Sequence, residues 1–175
     1  MQLYILLVDS DTFVANTIHK FQGNRWNHAG MLVEAYGERY VVEAIETGIG
    51  FTPFSEYAEA YRKQQKDLML LELNTELDVS EAELMKFILP YTRTGYEYSN
   101  LIGHQAIKFI TKKIFGKALW LGRRKRKGDK KFICGEWCAF VINYYVNLFP
   151  EWHKIAPSDL FDSIYLKHKK IDKYV

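Results

Sequence analysis

Cys134 and His28 are the residues whose types and settings could do chemistry together. Cys134 opens the stretch Ile133-Cys134-Gly135-Glu136-Trp137-Cys138-Ala139-Phe140-Val141, where a small residue and an acid lead into an apolar run. That pattern puts the sulfur in the first turn of a helix. Unpaired backbone N–H groups and the helix dipole there favour a thiolate over a thiol. His28 leads Trp26-Asn27-His28-Ala29-Gly30 into an apolar strand. A thiol on a helix start and an imidazole on a strand are the parts of a cysteine–histidine nucleophilic site. A third group, Glu43, lies on the strand expected to return beside His28, where a carboxylate could fix the imidazole tautomer and stabilise the imidazolium. Glu34 and Glu46 are near enough that a one-residue register slip would exchange the faces. The backbone N–H of Cys134 would add to an oxyanion hole.

Each residue also has a plainer reading. Cys134 could be a small buried hydrophobe, and His28 a structural histidine at a strand start. Cys138 shares a helix face with Val141, Ile142 and Tyr145 and reads as core. Two cysteines at i and i+4 have nearly parallel Cβ directions, which suits no disulfide. His19, His104, His153 and His168 show no metal-ligand spacing with the cysteines, so surface or cap roles are expected and no metal or cofactor is. There is no phosphate-cradling glycine loop and no zinc pattern.

The elements that must position this set follow from periodicity. Residues 3–8 form an apolar run that reads as a buried strand. Asp9, Ser10 and Asp11 offer an N-cap for a helix to about 20. Residues 28–34 and 39–46 read as a hairpin turning at Tyr36-Gly37, ended by Gly48, Gly50 and Pro53. Residues 55–64 read as a short polar helix and 67–73 as a strand. Ser80 and Glu83 form a capping box before an apolar helix stopped by Pro90. Helices are expected over 98–115 and, most strongly, over 134–149. Pro157-Ser158-Asp159-Leu160 starts a last short turn, with a strand after it. The order lacks regular βαβ alternation, so the class is α+β, and the 175 residues suit one domain.

Charge is uneven. The chain carries +3 in all, but residues 122–131 carry +6 and residues 166–175 carry +3, leaving a mildly acidic body of −6. The run Arg123, Arg124, Lys125, Arg126, Lys127 could contact an anionic surface, with Trp120 beside it at an interface. It lacks a reading element, so specific nucleic-acid binding is not expected. The first residues lack a secretory signal pattern and no apolar run reaches membrane-span length, so the expected location is cytoplasmic.

The ordered pieces Trp26-Asn27-His28-Ala29-Gly30-Met31, Val41-Val42-Glu43-Ala44, Gly95-Tyr96-Glu97-Tyr98, Cys134-Gly135-Glu136 and Pro157-Ser158-Asp159-Leu160 resemble the circularly permuted NlpC-type papain-like proteins. The YiiX-like cysteine hydrolases are the nearest resemblance and the lecithin:retinol acyltransferase group a more distant one. The resemblance implies a papain-like fold, an antiparallel sheet packed against helices, in one permuted domain over residues 1–175. It implies a cysteine peptidase or amidase working through an acyl-enzyme, with catalytic Cys134, His28 and Glu43 and with Tyr98 lining the pocket. The substrate would be a peptide or a small amide. A thiol acyltransferase or thioesterase at membranes, and a non-catalytic binding domain, are the alternatives. Many relatives carry serine after the cysteine. Gly135 stands here instead and is expected to loosen the helix start.

Overall fold

The computed structural model describes residues 1–10, 16, 25–64, 67–92, 94–95, 110–111, 114, 116, 131–169 and 171. Tyr98, Trp120, His19, His104 and the run Arg123, Arg124, Lys125, Arg126, Lys127 lie outside these residues, as does most of the helices expected over 9–20 and 98–115.

Among the described residues, six strands form one antiparallel sheet. β1 is Tyr4–Val8, β2 is His28–Ala35, β3 is Glu38–Ile45, β4 is Gly48–Pro53, β5 is Leu68–Leu73 and β6 is Leu166–Lys169, and they lie in the order β4-β3-β2-β1-β5-β6. Four α-helices accompany them among the described residues: α1 at Phe54–Lys63, α2 at Glu81–Ile88, α3 at Cys134–Val146 and α4 at Pro157–Phe161. The α+β class is therefore as the element order implies.

Side-chain alternation divides the sheet into two buried faces. Ile5, Leu7, Ala29, Met31, Val33, Val42, Ala44 and Leu71 join a core with Leu84 and Ile88 of α2 and Trp137, Val141 and Ile142 of α3. Leu6, Val8, Leu32, Val41 and Leu70 face the other way, beneath Phe54, Tyr57 and Ala58 of α1. β1 is thus covered on both sides, which is why its run is apolar without alternation. In α1, residues 54, 57, 58 and 61 recur at helical spacing, so the "polar" helix has one apolar stripe.

The β2–β3 hairpin turns through Tyr36 and Gly37, with φ of 56° and 78°. Both central residues at positive φ make the two-residue turn whose twist suits a hairpin. It sets the register at Gly30 opposite Glu43. The glycines after it do not end the sheet. Residues 48–53 form β4, which pairs with β3 and places Gly50 opposite Glu43. Glycine and proline are depleted in strands, and this segment is an edge strand, so propensity understates it.

Two helix ends also differ from expectation. α3 stops at Val146 because Asn147 adopts the left-handed conformation, φ 49°, and Asn143 Oδ1 accepts the Phe149 N–H at 3.1 Å. α2 stops at Ile88, and Pro90 sits in a short 3₁₀ turn at Leu89–Tyr91. Its capping box is present: Ser80 Oγ accepts the Glu83 N–H at 3.3 Å, and Glu83 accepts the Ser80 N–H at 3.0 Å.

Candidate functional site

The site begins at the first residue of β2. Asn27, itself buried, ties that strand to the end of β1: its Oδ1 accepts the Ser10 N–H at 2.7 Å and its Nδ2 donates to the Ser10 carbonyl at 2.9 Å. His28 therefore starts from a fixed backbone. Glu43 lies diagonally across the β2–β3 ladder, opposite Gly30, a separation a glutamate can span. His28 Nε2 and Glu43 Oε2 are 2.5 Å apart. Glu34 and Glu46 make no such contact, so the register selects Glu43.

Glycines stand opposite Glu43 on both neighbouring strands. A Cβ at Gly30 would come within 2.8 Å of Val41 Cγ1 and 3.3 Å of the Glu43 Cβ. On the other side, Gly50 is the direct partner of Glu43. The His-x-Gly spacing thus has a steric reason.

Cys134 starts α3 on the opposite face of the sheet, fully buried. Its sulfur meets the imidazole of His28 and the backbone N–H groups of Ala29 and Gly135. The helix start is held from behind. Glu136, at the third helical position and fully buried, accepts the Ile133 N–H at 3.2 Å. Asp159 accepts the Ala156 N–H at 2.8 Å, fixing the start of α4. Gly135 packs against that corner: an added Cβ would lie 2.8 Å from the Ile155 carbonyl oxygen and from the Ala156 carbonyl carbon. Glycine does not loosen this helix start. It permits a close backbone approach that a side chain would block, and this joins the Cys134-Gly135-Glu136 and Pro157-Ser158-Asp159-Leu160 pieces physically.

The electrostatics follow from these contacts. Burial alone pushes the Cys134 thiol up, but the adjacent imidazole and the two N–H donors outweigh it and bring the pKa below the ordinary thiol value. Burial pulls His28 down, yet the Cys134 sulfur and the Glu43 carboxylate together raise it well above the usual imidazole value. The two shifts are opposite in direction, and each has the other group among its causes. Cys138, also fully buried, is pushed up by burial and then by the charges of Cys134 and Glu43. It is core, as its helix face implies.

Tyr57 is the contact that the sequence did not single out. Its hydroxyl donates to Glu43 Oε2 at 3.1 Å. The signal was present as an aromatic residue with a polar tip on the apolar stripe of α1. His153, expected at the surface, is buried beside Trp152 in the 3₁₀ turn Trp152–Lys154. His168 is exposed and stacks on Phe161 at 4.5 Å.

Cys134, His28 and Glu43 stand in series rather than around a common point. Among the described residues, no group of three or more His, Cys, Asp and Glu side chains could hold a metal ion, and no helix is long and apolar enough to cross a membrane.

No protein-family model and no curated protein matches the chain. Among solved structures, the chain is similar to the metalloprotein yiiX from Escherichia coli O157:H7, with a TM-score of 0.63 and 15% identity over 95% of this chain and 94% of that one. The fold is YiiX-like.

Proposed function

We propose that the chain is a cysteine hydrolase, a peptidase or amidase on a permuted papain-like fold. The observation that carries this reading is the series Cys134–His28–Glu43, with the thiol lowered and the imidazole raised. His28 takes the Cys134 proton, and the thiolate forms a bond to an amide carbonyl carbon. The resulting oxyanion sits near the N–H groups at the start of α3. His28 then gives its proton to the leaving amine as the C–N bond breaks, which leaves a thioester. Water attacks the thioester, passes a proton to His28, and releases the acid and the thiol. Glu43 holds the imidazole and stabilises its charge throughout. The substrate is a peptide or small amide. Because Cys134 has no exposed surface, its cover must move when substrate arrives.

The test is a peptide and amide screen read by mass spectrometry. Wild type should release acid product and, with a slowly deacylating substrate, carry the acyl mass on the peptide containing Cys134. Undiminished hydrolysis by Cys134→Ala would overturn the reading. The metalloprotein description belongs to the E. coli protein, and no step here passes through a metal.

A further inference from the structure

Glu43 receives little steric guidance from its own sheet. Its cross-strand neighbours on both sides, Gly30 and Gly50, have no side chains. Its orientation therefore comes from two polar contacts, His28 on the neighbouring strand and a residue of α1 in the layer above. There Tyr57, 5% exposed, donates its hydroxyl to Oε2, the same oxygen that faces His28 Nε2. The Tyr57 ring is itself fixed, stacked on Tyr61 with centroids 4.8 Å apart. Burial, with the charge of Glu43 and contact with Tyr61, raises the Tyr57 hydroxyl well above its usual pKa, so it keeps its proton and remains a donor. A carboxylate oxygen that accepts two fixed donors cannot rotate away from either.

We propose that Tyr57 is a positioning residue that acts through Glu43 to hold His28 as the partner of Cys134. Its functional meaning rests on the cysteine-hydrolase reading. Its physical content, a four-residue chain from Tyr57 to the sulfur, can be tested without a substrate. Losing the hydroxyl leaves Glu43 held by His28 with one fixed donor fewer, which weakens its hold on the imidazolium and therefore on the thiolate.

The experiment follows the ultraviolet absorbance of the Cys134 thiolate against pH, as the difference from Cys134→Ser. It compares wild type, Tyr57→Phe, Glu43→Ala and the double variant. Tyr57→Phe should move the midpoint up by about half to one pH unit. In the Glu43→Ala background, adding Tyr57→Phe should move it no further, because the two act in one chain. A midpoint unchanged in Tyr57→Phe overturns the positioning role, as does an equal shift with and without Glu43. Neither result touches the hydrolase reading. A wild-type Cys134 that titrates as an ordinary thiol overturns both. If Tyr57→Phe does not fold, Tyr57→Leu, which also lacks the donor, takes its place in the titration.

Discussion

Cys134 and Cys138 sit one turn apart on α3, and both are fully buried. Burial pushes both thiols up, yet the first ends below the ordinary value and the second well above it. The difference lies in what surrounds each sulfur. Cys134 has an imidazole and two backbone N–H groups, while Cys138 has apolar neighbours and the negative charges of Cys134 and Glu43. Burial alone does not decide the direction of the shift. The groups that meet the sulfur do, and for Cys134 these include the histidine at the start of β2.

The largest effect expected from this contrast is on turnover. Cys134→Ala should abolish hydrolysis in the substrate screen, whereas Cys138→Ala should leave it measurable. His28→Ala comes next, because it removes the main charge opposing burial. The Cys134 thiolate midpoint should then rise above the ordinary thiol range, making Cys134 resemble Cys138, and the rate should fall by about 10²-fold or more. A midpoint that stays low in His28→Ala would show that the N–H donors suffice and would break the contrast as drawn. In wild type, the active form needs Cys134 without its proton and His28 with one. Activity should rise as pH climbs through the lowered Cys134 pKa and fall as it passes the raised His28 pKa, a bell read from kcat/KM.

Smaller effects concern the scaffold. Gly135→Ala forces a Cβ onto the backbone of residues 155 and 156. It should destabilise the protein by about 1–3 kcal/mol in urea unfolding, with a misplaced sulfur as the visible consequence. Serine at this position should cost at least as much, which distinguishes this corner from one where serine fits. The smallest change is Cys138→Ala, which should cost about 1 kcal/mol of stability through the lost sulfur volume and leave the Cys134 titration unmoved.

Much of the site was legible residue by residue. Alternation placed His28, Gly30 and Leu32 on one strand face, and the Tyr36-Gly37 turn chose the partner of the hairpin. Glu43 could be named because a two-residue turn brings its strand back beside His28, but only the observed register set it apart from Glu34 and Glu46. β4 was not legible, because glycine and proline signal chain breaks and here they serve an edge strand whose pairing comes from β3. The role of Gly135 was misread for a related reason: a missing side chain does not reveal whether its space is empty or filled by another part of the chain.

The sequence by itself therefore determined most local features, namely which segments other than β4 pair or coil, which face of each is apolar, and which residues could do chemistry. Those rest on short-range sterics and on periods of 2.0 and 3.6 residues. Only the tertiary structure decided that the thiol meets the imidazole, that Tyr57 reaches Glu43 from the layer above, and that Gly135 closes against the start of α4. Such contacts join residues far apart in the chain, and their energies depend on burial and distance, which spacing along a sequence does not encode.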